Sequence, residues 1–254
     1  MMQSGHFKAA ASAHLGLPIT GVVTIGSGGK LWGMEQRTRV YSVTMRAAIA
    51  ILMLGAPASP AAAQLASRPA EEWVKTLDAP DRVKAMKIDE VIAALDVRPG
   101  AIVADVGAGS GVLSGPLAIA TGMKGVLYAV DIDKGLLAHI ARRAADQKIA
   151  NIKIVLGEFT DPKLPEKVDL AFMNDVLHHV ADRAAYLRSL ASYLKPGGRI
   201  AIVDFIPSRS PHQSQPELIV SEGQATTWLT EAGLTLAKKV TIFDDRFYII
   251  YAKP

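Results

Sequence analysis

The 254-residue chain contains no cysteine. That absence excludes disulfides, thiolate metal sites and cysteine nucleophiles together. It leaves the compartment open, because disulfide-free proteins live on either side of a membrane. Also lacking is any excess of one charge in the main part of the chain. Residues 1–63 hold Lys8, Lys30, Arg37, Arg39 and Arg46 against a single acid, Glu35, which leaves 23 bases and 23 acids in 64–254. A globular part with no net positive charge has no electrostatic footprint for a phosphate backbone, so nucleic acid is not expected as a partner. The apolar run Ala47–Leu54 is far short of the ~20 residues of a spanning helix. No internal repeat is visible. What is present is a half-hydrophobic chain with 20% charged residues, which excludes disorder and allows a sizeable core.

Residues 45–64 read Met-Arg-Ala-Ala-Ile-Ala-Ile-Leu-Met-Leu-Gly-Ala-Pro-Ala-Ser-Pro-Ala-Ala-Ala-Gln. One positive charge, a short apolar run, helix breakers and Ala61-Ala62-Ala63 are the layout of a secretory signal with cleavage after Ala63. The expectation is a periplasmic or secreted mature chain beginning at Gln64, with no stable membrane anchor after cleavage. No cysteine follows, so a lipid anchor is excluded. Residues 1–44 are expected to be a non-native or disordered extension ahead of Met45. The alternative is an Ala-rich linker or buried helix in a cytoplasmic protein. The stretch Gly26–Lys30 is only superficially a phosphate loop, since Thr24 replaces its first glycine and Leu31 its hydroxyl.

From Arg68 the pattern alternates. Helices are expected over 71–77 and 82–95, a strand over 101–106, a glycine loop over 107–111 and a helix to about Thr121. Then follow strands at 126–130, 152–156, 168–173 and 199–205, with helices over 134–147 and 181–194 and a turn at Lys195-Pro196-Gly197-Gly198. A helix over 222–233 and a hairpin, 234–243 and 247–252 about Asp244-Asp245, end the chain. Near-continuous apolar strands separated by helices predict an α/β protein with a parallel sheet covered on both faces. Residues 64–97 read as an N-terminal helical cap, and the Pro/Ser/Gln-rich 206–221 as a lid.

Chemistry is most readable in Val103-Ala104-Asp105-Val106-Gly107-Ala108-Gly109-Ser110-Gly111. A strand enters a turn whose glycines allow close ligand approach, and the following helix aims free N–H groups at it. Twenty residues past Gly111, the second strand ends in Asp131, where a carboxylate could hold ribose hydroxyls. A dinucleotide fingerprint needs Gly or Ala three residues after Gly109, and Val112 stands there.

On these residues, with Asn174-Asp175-Val176-Leu177-His178-His179, the Leu194–Gly198 turn and the terminal hairpin, residues 72–253 resemble the class I S-adenosylmethionine-dependent methyltransferases. The resemblance implies a Rossmann-like, doubly wound seven-stranded sheet in the order 3-2-1-4-5-7-6 with the seventh strand antiparallel. It implies S-adenosylmethionine as cofactor and a small-molecule methyl acceptor. Asp105, Gly107, Ala108, Gly109 and Gly111 would meet the methionine end. Asp131 with Ile132 would take the ribose, Glu158-Phe159 the adenine, and Asn174-Asp175 would border the sulfonium.

His178 and His179 follow the fourth strand on the expected acceptor side and are the candidate general bases, neutral imidazole being poised near working pH. No metal site is expected, because adjacent side chains point apart and no third ligand sits at helical spacing. Asp161 is expected to cap a turn. Trp73 and Arg82 read as surface packing and a solvated charge, although N-terminal helices in this family often close over the substrate. The absence of cysteine argues against thiol-dependent arsenite methylation. Two rivals stay open. An NAD(P)-dependent reductase is opposed by Val112 and by the lack of a Tyr-x-x-x-Lys pair. A non-catalytic cofactor-binding module is kept open by the export signal, since S-adenosylmethionine is made in the cytoplasm. The sequence does not specify the oligomeric state.

Overall fold

The structure, a computed structural model, describes residues 68–254. The expected extension (1–44), export signal (45–63) and Gly26–Lys30 stretch lie outside the described residues.

Three short helices come first: α1 (Ala70–Leu77), α2 (Pro80–Ala85) and α3 (Ile88–Leu95). Then strand and helix alternate through β1 (Ile102–Val106), α4 (Ser114–Thr121), β2 (Val126–Asp131), α5 (Lys134–Asp146), β3 (Ile152–Leu156) and β4 (Val168–Asn174). A 3₁₀ turn at Leu177–His179 leads to α6 (Arg183–Ser192) and β5 (Leu194–Phe205). Two further 3₁₀ turns, Pro207–Arg209 and Pro216–Leu218, precede α7 (Glu222–Glu231), β6 (Thr235–Lys239) and β7 (Arg246–Ala252).

The seven strands form one sheet in the order β3-β2-β1-β4-β5-β7-β6. β1 to β5 pair in parallel, and β7 runs antiparallel to both β5 and β6. This is the predicted architecture. Its physical basis is the apolar strand run, buried on both faces. One face packs Leu187 and Leu190 of α6 and Leu229 of α7. The other packs Val91 and Leu95 of α3 and Leu117 of α4. Helix starts are fixed locally: the Asp133 carboxylate accepts the Gly135 and Leu136 N–H groups at the head of α5. Ser221 and Gln224 form a reciprocal capping box on α7.

Three element boundaries differ from expectation. The single helix over 82–95 is broken at Lys87, whose φ of +46° is left-handed; its ammonium donates to the Ile242 carbonyl and lies 5.7 Å from the Phe243 ring centroid. That tertiary anchor offsets a backbone cost of about 1 kcal/mol. The Lys195–Gly198 turn is absorbed into β5 as an irregularity, the register jumping from Val168↔Leu194 to Leu170↔Arg199. β6 stops at Lys239, so residues 240–245, rather than Asp244-Asp245 alone, connect it to β7. Among the described residues no helix is long and apolar enough to cross a membrane.

Candidate active site

The carboxyl ends of β1, β2 and β4 open into one cleft, at the point where the strand order reverses. The glycine loop forms its floor. Gly107 has φ +74°, and a Cβ there would stand 2.5 Å from Val176 Cγ2, so only glycine permits both the backbone angle and this approach. Ala108, Gly109 and Ser110 also line the cleft, whereas Gly111 does not. Gly111 instead lies against Ile140 of α5, where a Cβ would come within 2.9 Å; it serves helix packing.

Two carboxylates, buried Asp105 and half-buried Asp131, face this floor. Asp131 accepts the Gly109 N–H at 2.8 Å on Oδ2 and the Asp133 N–H at 3.0 Å on Oδ1. These bonds fix its orientation and join the two βα loops, while burial pushes its pKa up. Asp105 accepts the Ser114 hydroxyl at 2.6 Å. Burial, with a smaller push from Asp131, raises the Asp105 pKa to about 6 against the pull of Ser114. Ile132, Glu158, Phe159, Asn174 and Asp175 all line the same cleft. Phe159 leaves 49% of its surface exposed there. Asp161 does cap a turn, accepting the Lys163 N–H at 2.8 Å.

Asp175 is not an open carboxylate. It sits at φ +54° and is held by Arg246 Nε at 3.0 Å and by Arg82 Nη2 at 3.6 Å. Arg246 also grips Asp245 through Nη1 at 2.9 Å and stacks 4.2 Å from the Phe205 ring centroid. Arg82 is therefore no solvated charge: it ties α2 to the end of β4 and donates to the Leu77 carbonyl. Trp73 is likewise more than surface packing. Both residues line the cleft, with Leu77 and Met86, and the Trp73 indole N–H is buried without a partner among the described residues. The N-terminal helices supply the cover. The expected lid, 206–221, contributes no residue to the cleft lining; Ser210, Leu218 and Val220 are buried.

The two histidines divide. His179 lines the cleft; His178 lies behind it, 4% exposed. His178 Nδ1 lies 2.6 Å from Asp204 Oδ1, within hydrogen-bond distance, and its backbone N–H donates to the other Asp204 oxygen at 3.1 Å. Contrary to expectation, the two rings do not point apart. The 3₁₀ turn brings their centroids to 4.1 Å, and His212, from 206–221, lies 5.0 Å from His178 and 5.4 Å from His179. Burial first, then the neighbouring imidazoles, lowers the His179 pKa to about 3. That ring is neutral at physiological pH and a weak proton acceptor.

Sequence reasoning missed Asp204, His212 and Arg246. Asp204 left a signal, a lone acid inside the apolar run Ile-Ala-Ile-Val-Asp-Phe. Arg246 and His212 left none, since their partners are distant in sequence.

A glycine loop and an acidic strand end meeting at a sheet's switch point define a nucleotide-cofactor-binding α/β protein. A family described as a methyltransferase domain matches residues 98–240, more than half of the chain, and the chain belongs to that family. Over 119 residues it is 31% identical to nocamycin O-methyltransferase of Saccharothrix syringae, 46% of this chain and 42% of that protein. Over 132 residues it is 26% identical to phosphoethanolamine N-methyltransferase 3 of Arabidopsis thaliana, 52% of this chain and 26% of that protein. The matched part thus spans less than half the length of these curated relatives. Among solved structures, an S-adenosylmethionine-dependent methyltransferase from Aquifex aeolicus shares the fold. Its TM-score is 0.66 at 24% identity, covering 74% of this chain and 99% of that one.

Proposed function

We propose that the protein transfers a methyl group from S-adenosylmethionine to a small, largely apolar acceptor. The observation that carries the reading is the Asp131 carboxylate, locked by two backbone N–H groups beside the glycine loop. The chemistry of the cleft fits the cofactor. Two carboxylates, buried Asp105 and half-buried Asp131, suit an ammonium and a pair of ribose hydroxyls. Exposed Phe159 offers a stacking face, and the buried, unpartnered Trp73 N–H is a donor without an acceptor. When bound, S-adenosylmethionine supplies a methyl already activated on a sulfonium.

The chain's own residues then bind, orient and exclude water. α1 and α2 cover the cleft, fastened by Arg82 to Asp175 and by Arg143 of α5 to Asp78 at 3.0 Å. On the acceptor side stand Val176, His179, Val180 and Tyr186, with Leu77 and Met86 from the cover. That wall is apolar apart from an imidazole and a phenol, and the mature region carries no net charge to attract a polyanion. We assign His179 to contact with the acceptor and His178 to positioning behind it.

The test is transfer of labelled methyl from S-adenosylmethionine to a panel of small phenols, enols and amines, with DNA, RNA and folded protein alongside. Label on a small molecule is expected, and His179→Ala should raise KM for the acceptor with cofactor affinity unchanged, since the ring contacts the acceptor without serving as its base. Label only on the macromolecules would overturn the acceptor reading. Residues 45–63 support a second proposal, that the mature protein begins at Gln64 outside the cytoplasm. Intact mass of the fractionated protein, expressed from Met45 in a bacterium, should begin at Gln64; an uncleaved cytoplasmic chain would refute it.

A further inference from the structure

We propose that His178, His179 and His212 bind one divalent transition-metal ion, zinc being the best match, on the acceptor side of the cleft. One ring nitrogen from each lies within 4.8 Å of the other two. Three features mark a built site rather than a chance cluster. The first is the carboxylate behind His178. Asp204, 1% exposed, holds Nδ1 at 2.6 Å and so leaves Nε2 as the free donor. A carboxylate orienting a histidine in this way is the common support of a metal ligand. Asp204 is itself held by the His178 and Phe205 N–H groups. The second feature is His212, whose Nδ1 meets Gln215 Oε1 at 3.2 Å, again fixing one nitrogen and freeing the other. The third is independent of both: His179 Nδ1 is buried with no hydrogen-bond partner among the described residues. A buried polar atom without a partner requires an explanation, and a bound metal ion is one.

The donor set selects the metal. Three imidazoles without thiolates suit zinc and its neighbours cobalt, nickel and copper, and not magnesium or calcium, which take oxygens. Three protein ligands leave one tetrahedral position open, as in catalytic zinc sites. His179 is the member that lines the cleft, so an ion held by the three rings would stand at the edge of the cleft. In a tetrahedral site with Zn–N of ~2.0–2.1 Å the nitrogens would draw to about 3.3 Å. His212, carried by a loop rather than a strand end, is the ligand able to make that adjustment. Arg183 is the nearby cation; it is anchored on the Leu177, His178 and Glu217 carbonyls, and Asp204 offsets its charge. That the open position receives an acceptor oxygen, such as a phenolate or enolate, rests on the methyl-transfer reading. The ion site itself does not.

The test uses the untagged full chain, stripped with a chelator and dialysed against Co²⁺ or Zn²⁺. One equivalent of metal per chain is expected, and Co²⁺ should give the visible absorption of a tetrahedral nitrogen site. His212→Ala should weaken binding by at least ~10–100-fold, and Asp204→Asn by ~10–100-fold through loss of the orienting carboxylate. The melting transition of each variant checks that it is folded. No stoichiometric metal, or an unchanged Co²⁺ spectrum in folded His212→Ala, would overturn the site. S-adenosylhomocysteine titrated into the same samples separates the two readings: retained binding without metal removes the metal site alone, whereas bound metal without S-adenosylhomocysteine binding removes the methyl-transfer reading alone.

Discussion

At the ends of β1 and β2 the cleft is walled by the glycine loop and two strand-end carboxylates, and at the end of β4 by side chains that are held by residues from β5 and β7. The first wall is the glycine loop with Asp105 and Asp131. Its contacts join residues 9 and 22 positions apart, Ser114 to Asp105 and Gly109 to Asp131. In the second wall, His178 is fixed by Asp204, 26 residues on, and Asp175 by Arg246, 71 residues on. A shared cofactor asks for the same shape in every relative, which a contiguous loop can supply. An acceptor asks for chemistry particular to one protein, which dispersed side chains can change without disturbing the loop.

The largest effect should come from breaking the second wall at Asp204. Asp204→Ala leaves a buried imidazole and two N–H groups without their acceptor, and unfolding by urea should show a loss of roughly 3–5 kcal/mol. A loss under 1 kcal/mol would mean that the His178–Asp204 pair is not the support described. Breaking the first wall at Gly107 should cost somewhat less. Gly107→Ala meets both a φ of +74° and Val176, and about 2–4 kcal/mol is expected from strain and overpacking combined. The same denaturation series checks it, with S-adenosylhomocysteine affinity falling in parallel.

The pH dependence sharpens the contrast, because Asp105 belongs to the first wall only. Its folded pKa, about 6, stands above the ordinary carboxylate value of 3.8, so the native state holds a proton that the unfolded chain releases. Asp105 therefore favours the folded state fully below the unfolded value. That contribution fades as pH rises from about 4 to about 6. Asp105→Asn should remove this slope, an effect of up to roughly 3 kcal/mol across the window. Parallel stability-versus-pH curves for the two proteins would contradict it. The smallest effect should lie outside both walls. Lys163 pairs with Glu158 at 3.4 Å and Asp161 at 3.6 Å on the surface, and Lys163→Ala should change the melting midpoint by an amount near the scatter of the measurement.

The same division governs how much could be read beforehand. The alternation of strands and helices and the residues of the first wall were legible because each signal is local, an apolar strand, glycines, and an acid at the next strand end, whereas the strand order followed from the family resemblance. Of that wall, only Gly111 was misplaced, its φ of +79° serving the contact with Ile140. Lys87, which breaks the second helix, carries no helix-breaking chemistry; its anchor is a carbonyl 155 residues away. The second wall was half legible. Adjacent histidines were visible, but a 3₁₀ turn that converges their rings, and His212 arriving from a segment taken for a lid, depend on tertiary packing.

Calorimetric titration of S-adenosylhomocysteine into the full chain and into Asp131→Ala, with NAD(P) as a control ligand, tests the methyl-transfer reading most directly. The account predicts one saturable site per chain in the native protein. Affinity should fall by roughly 10²–10⁴-fold in Asp131→Ala, as two charge-assisted hydrogen bonds of ~1.5–3 kcal/mol each are lost. NAD(P) should produce no heat of binding. Saturable NAD(P) binding with none for S-adenosylhomocysteine, or an Asp131→Ala protein that binds as the native one does, would contradict it.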